Sequence, residues 1–213
     1  MSCAICKQRK AKRHCPGVHG EICSLCCGSG RESTVSCPID CTYLVEAHRY
    51  EWERVKPQPP DKMPYPAYEI HDGFLKYREL FVAHMAMQLL RRAMELPGTQ
   101  DSDVLEALGG LIRTRETLTS GLVYDSVPQA PVPEALFRGL QEATEEFRKE
   151  EPKFSRWTPI KDDEITKTLV FLARLAHARS NGRPKCKAYL TFLREQFPQV
   201  MAQQTTSGII LPG

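Results

Sequence analysis

Eight of the nine cysteines in this chain fall between Cys3 and Cys41. They come in pairs: Cys3/Cys6, Cys15 with His19 at ligand spacing, Cys23 with Cys26 or Cys27, and Cys37/Cys41. Two soft donors a few residues apart can turn back on one ion, and a structural zinc takes four of them in a tetrahedron. Four pairs therefore supply enough ligands for two Zn2+ ions. A segment this short buries too little apolar surface to hold its own shape, so metal or disulfides must do it. The opening residues M-S-C-A-I-C-K-Q-R-K lack the apolar core of a secretory signal. The expectation is a cytoplasmic chain whose thiols stay reduced and bind metal. Iron–sulfur ligation, disulfides and free thiols are the rival readings of the same residues.

Which ligands share an ion is open on spacing alone. Sequential pairing puts Cys3, Cys6, Cys15 and His19 together. Interleaved pairing, the preferred form, puts Cys3 and Cys6 with Cys23 and either Cys26 or Cys27; Cys15 and His19 then meet Cys37 and Cys41. Here the pattern resembles the cross-brace zinc fingers of the HIT and MYND kind. The resemblance is carried by Cys3-Ala4-Ile5-Cys6, Cys15-Pro16 and Cys23-Ser24-Leu25-Cys26-Cys27. His19 stands where those families usually have cysteine, and Cys37-Pro38-Ile39-Asp40-Cys41 replaces their final histidine–cysteine pair. The run from Arg31 through Cys37-Pro38-Ile39-Asp40-Cys41 to Leu44 also looks like that of a bacterial group with a cysteine-rich N-terminus and a helical remainder. That likeness implies zinc binding and no known activity. Pro38 suits a first helical position, so a helix from there to about Val55 would put Cys37 and Cys41 on one face.

Charge is uneven. Residues 1–56 hold nine Lys/Arg and six Asp/Glu, which accounts for the whole formal excess of +3. Seven thiolates, one imidazole and two Zn2+ would cancel it, leaving the finger about neutral. That argues against a strongly cationic nucleic-acid clamp. One dense basic loop remains, Lys7-Gln8-Arg9-Lys10-Ala11-Lys12-Arg13. It reads first as a solvated knuckle offsetting thiolate charge, and second as a phosphate contact.

Past the finger the chain reads as mainly α. Residues 56–70 are a linker, with five prolines between Pro57 and Pro66. Residues 71–198 predict a bundle of about five helices, from helical recurrence of apolar residues and from Pro, Gly and Asp at the ends. The segments are Asp72–Glu95, Asp101 to about Leu122, Pro133 to about Lys149, Asp162 to Asn181-Gly182, and Pro184 to Pro198. Gly109-Gly110 inside the second costs helix stability unless a close neighbour or a kink explains it. Residues 199–213 read as a tail. No run of 18 apolar residues exists, so no membrane span is expected.

No H-E-x-x-H, phosphate loop or G-x-S-x-G elbow is present. Cys186 follows Arg183 and Lys185, but a lone cysteine is usually inert. Eight ligands close two sites more readily than they leave one open for catalysis. The expected function is thus a non-enzymatic zinc protein offering a surface to a protein partner. The alternative is a nucleic-acid-binding regulator using residues 7–13.

Overall fold

The computed structural model describes residues 1–55, 59, 62–121, 124–154 and 159–200, with the side chains of 152–154 excepted. The N-terminal part opens with an antiparallel hairpin of β1 (Arg13–Cys15) and β2 (Gly20–Ile22), with Arg13 opposite Ile22. Pro16–Val18 forms a single 3-10 turn between them, and His19 leaves it in the left-handed region at φ 52°. Helix α1 (Ser24–Gly30) follows directly, with the Cys23 thiol accepting the Cys26 N–H at 3.4 Å. Helix α2 (Thr42–Trp52) completes this part.

The remainder is helical: α3 (Asp72–Tyr77), α4 (Glu79–Glu95), α5 (Asp101–Thr119), α6 (Pro131–Phe154), α7 (Asp162–Arg179) and α8 (Ala188–Gln196). Helix α5 packs on both α6 and α7, α4 packs on α6, and α8 closes against α4 and α7. Helices α4 to α8 contribute the apolar stripes their sequences show. Phe81, Met85 and Leu89 meet Val104, Leu108 and Ile112, then Leu136, Phe137 and Leu140, then Ile165, Leu169 and Leu172. Each such side chain contributes about 1.5–3 kcal/mol by leaving water. Gly110 lies against the Ser126 carbonyl and the Phe137 ring; a Cβ there would stand 2.6 Å from that oxygen. Close approach, not a kink, accounts for the glycine.

Several expected boundaries move. The helix expected over Asp72–Glu95 breaks at Arg78 (φ −107°, ψ 22°). Arg78 is buried and reaches Glu151 at 3.2 Å and Glu164 at 2.7 Å, so the break aims a guanidinium at two carboxylates on α6 and α7. The expected stop at Glu150-Glu151-Pro152 does not end α6, which runs to Phe154. The helix expected from Pro38 starts at Thr42 with Cys41 as its cap. Cys37 and Cys41 therefore share no helix face; a turn with the Cys41 N–H on the Pro38 carbonyl (3.1 Å) brings them round instead. Gly28-Ser29-Gly30 forms the end of α1. The helix expected from Pro184 begins at Ala188.

The proline-rich segment is more than a spacer. Arg174 donates to the carbonyls of Pro64 (3.0 Å), Tyr65 (2.8 Å) and Tyr68 (2.8 Å), pinning it to the bundle. Residues 56–58, 60 and 61 of the expected linker lie outside the described residues, as do 201–213 of the expected tail. Among the described residues, no helix is long and apolar enough to cross a membrane.

The finger is fastened to the bundle through Glu32. Its side chain is fully buried, and its backbone is left-handed at φ 53°. The carboxylate accepts from the Lys187 N–H (2.6 Å), Asn181 Nδ2 (2.8 Å) and His48 Nε2 (2.9 Å). Its carbonyl accepts the Lys185 N–H at 2.8 Å. Arg49 on Glu195 (2.9 Å through Nε) and Arg183 on Glu51 (2.9 Å) flank this clasp.

Candidate metal centre

The hairpin and α1 together place four thiols on one point. Cys3 and Cys6 sit in the opening turn, where the Lys7 N–H closes on the Cys3 carbonyl at 2.8 Å. Cys23 and Cys26 sit at the cap and in the first turn of α1. The four sulfurs of Cys3, Cys6, Cys23 and Cys26 all lie within 4.8 Å of one another, and Cys3 and Cys23 are buried. A tetrahedral ion with bonds of about 2.3 Å to sulfur needs sulfur–sulfur separations of about 3.8 Å. The tetrad is close to that spacing, all four donors are soft, and the group could hold a metal ion.

Local electrostatics favour thiolate at two of the four, Cys3 and Cys6. Burial alone would raise the Cys3 thiol, but N–H groups of Cys6, Cys23 and Ile5 outweigh it and pull its pKa down to about 6. The Cys6 thiol is lowered by the N–H groups of Gln8 and Arg9. Cys26 goes the other way, to about 12, chiefly through its hydrogen bond with Cys23. The thiols of Cys23, Cys6 and Cys26 near the exposed Arg9 guanidinium raise the arginine's pKa.

A second thiol group lies behind the first. Cys15, Cys27, Cys37 and Cys41 line one small cavity of about 20 Å³, with Val35 and Leu44 behind them. Among the described residues only the first tetrad closes to 4.8 Å, so this group is the more open of the two. Arg13 donates to Cys27 Sγ at 3.5 Å while its guanidinium stacks on Tyr43 at 4.1 Å. Burial raises the Cys15 and Cys37 thiols.

Cys26 and Cys27 are neighbours in sequence yet point to different groups: Cys26 joins the first tetrad and Cys27 the second cavity. They are not rivals for one position. His19, expected as a ligand with Cys15, does not line that cavity; it is exposed at the end of the 3-10 turn. The left-handed exit at His19 turns the chain into β2, and Cys27, with Cys15, Cys37 and Cys41, lines the cavity. No signal in the spacing separates these two outcomes.

Cys186 is buried and donates its S–H to Asp101 Oδ2 at 3.2 Å. Burial, with Asp101 beside it, pushes its pKa up to about 12, the setting of an inert thiol. Asp101 itself was not singled out by sequence. Its carboxylate caps α8 by accepting the N–H groups of Tyr189 (2.9 Å) and Leu190 (3.3 Å).

Set beside known proteins, no protein-family model, no curated protein and no solved structure matches the chain. The fold and the cysteine geometry are therefore the ground for any functional reading. They define a mainly helical protein carrying an N-terminal cysteine cluster fit for a metal ion.

Proposed function

We propose that this is a non-enzymatic zinc protein in which two ions build the N-terminal finger, and that the finger and bundle together present a surface to a protein partner. The carrying observation is the tetrad of Cys3, Cys6, Cys23 and Cys26, four thiols within 4.8 Å of one another. Four thiolates suit zinc, and a site filled by protein ligands leaves no place for substrate or activated water. The second ion is assigned to Cys15, Cys27, Cys37 and Cys41, which converge on a cavity of about 20 Å³. That is room for about one water-sized body. Binding would draw the more open group inward.

Zinc here acts through structure. It lets a segment with few buried apolar side chains hold Glu32, His48 and Glu51 in register with the bundle. The basic loop supports nucleic-acid binding less well, because Arg13 at its end is engaged with Cys27 and the Tyr43 ring. Metal analysis of the protein purified without chelator tests the reading, with two zinc ions per chain expected. X-ray absorption should give sulfur-only coordination at about 2.3 Å. A bound water or a nitrogen ligand would overturn the assignment of closed thiolate sites. Salt-dependent binding of mixed RNA, lost on changing Lys10 and Lys12 to alanine, would replace the protein-partner reading.

A further inference from the structure

Finger and bundle enclose a cavity on the side of the α4–α5 turn. It measures about 270 Å³ and opens between the finger loop Pro38-Ile39-Asp40, the end of α4 with the turn after it, and the start of α8. The loop is seated from the bundle, where Arg194 donates to the Ile39 carbonyl at 3.4 Å. Much of the wall is apolar, from Ile39, Leu90, Ala93, Met94 and Leu190. Leu90, Ala93 and Leu190 are buried, and Ile39 and Met94 pack against the same core.

One cation interrupts this lining. Lys187 lines the cavity and is only 7% exposed. Its backbone N–H is held by the Glu32 carboxylate at 2.6 Å, so the main chain fixes where the side chain starts. Its ammonium has neither a hydrogen-bond acceptor nor an ion-pair partner among the described residues, and the nitrogen keeps accessible surface. A charge taken from water without a partner is costly, and here a cavity lies beside it. Burial lowers the lysine's pKa. The Cys37 thiol and the Glu32, Asp101 and Asp103 carboxylates act the other way, no carboxylate among them from ion-pair distance. Asp40, exposed on the cavity's own wall, is also too far to pair.

Charge and volume select a ligand. One ammonium balances one negative charge, and Asp40 at the rim disfavours a second, so a dianion such as phosphate is a poor fit. The apolar wall asks for a hydrocarbon body. At about 30 Å³ for each water-sized heavy atom, the space takes about nine of them.

We propose that the cavity binds an unbranched aliphatic monocarboxylate of about six to eight carbons. The carboxylate pairs with Lys187, and the chain lies against Leu90, Ala93, Met94 and Leu190.

The test titrates the full chain as purified, by calorimetry, with acetate, butanoate, hexanoate, octanoate and decanoate. It adds 1-hexanol, which has the hexanoate chain without the charge. Hexanoate should bind with a Kd of about 1 mM or tighter. Affinity should rise about fourfold per methylene up to octanoate, then stop rising at decanoate as the chain outgrows the cavity. Hexanoate should bind about tenfold tighter than 1-hexanol, since only it pairs with the ammonium. Lys187→Met keeps the stem and the backbone N–H; it should weaken hexanoate about tenfold and leave 1-hexanol binding unchanged. No saturable heat with hexanoate or octanoate, 1-hexanol binding as tightly as hexanoate, or unweakened binding to Lys187→Met would each overturn the proposal. The lysine would then simply extend its head to water. If Lys187→Met fails to fold, hexanoate against 1-hexanol on the unvaried chain decides. Zinc is measured on the same sample, because residues 38–40 lie between two cysteines assigned to the second ion. A zinc-loaded chain that binds no carboxylate overturns this site and leaves the metal reading standing; a zinc-free chain that binds hexanoate does the reverse.

Discussion

The finger and the bundle solve the same problem with different chemistry. In the bundle, Leu89, Leu108, Phe137 and Leu169 bury apolar surface against one another. In the finger, the two buried clusters are Cys3, Ile22, Cys23 and Cys26, and Val35, Cys37 and Leu44, so cysteines outnumber aliphatic side chains in them. The bundle gains its stability from many weak contacts, each of which can be lost singly. The finger concentrates its stability in a few donor atoms that fail together. The Glu32 clasp joins these two regimes, so loss of the finger removes hydrogen bonds from the bundle as well.

The comparison breaks most sharply on metal removal. A strong chelator, or Cys3→Ser with Cys23→Ser, should unfold residues 1–55, since a structural zinc supplies on the order of 10 kcal/mol of folding free energy. The bundle should keep its helices, so far-UV circular dichroism should fall only slightly. Loss of all helical signal on chelation would show that the bundle cannot stand without the finger.

The joint between the regions is tested next. Glu32→Ala strands Lys187 N–H, Asn181 Nδ2 and His48 Nε2 in a buried setting. The expected cost is about 3–5 kcal/mol, seen as a lower urea midpoint. An unchanged midpoint would mean the two parts fold independently.

Within the bundle, pH gives a smaller effect of known sign. Burial holds the Asp101 carboxyl at about 6, against an ordinary 3.8. Between those values the folded chain binds the extra proton, so stability from this group is fully present below about pH 4. It is lost as pH rises through about 6, by up to roughly 3 kcal/mol. Asp101→Asn removes this slope, and denaturant titrations of both proteins at pH 4, 5 and 6 should show wild type falling relative to the variant. Parallel curves would refute the assignment.

The finest distinction is between adjacent glycines. At Gly110 an added Cβ meets the Ser126 carbonyl at 2.6 Å, whereas at Gly109 the nearest atoms are the Arg113 side-chain tip and the Tyr65 hydroxyl at 3.3 Å. Gly110→Ala should cost about 1–3 kcal/mol by overpacking. Gly109→Ala should change stability by less than about 1 kcal/mol, because the gain in helix propensity offsets the tight contact. Thermal melts of the pair would order them.

The sequence by itself determined the mainly helical class, the apolar stripes of the bundle and the gathering of cysteines at one end, because periodicity and composition are local properties. Asp162 to Arg179 shows this: both the acidic start and the stop before Gly182 are written in neighbouring residues. Only the tertiary structure decided that Cys26 and Cys27 face different groups, that His19 stands outside and that Asp101 caps a helix 88 residues further along. It also decided that a continuous helical pattern breaks at Arg78 to bury a charge between two distant carboxylates. Spacing along a chain limits which donors can reach one point, but several ways of folding back satisfy the same spacing. The choice among them is made by packing against residues far away in sequence, where burial makes an unpaired charge or polar atom costly.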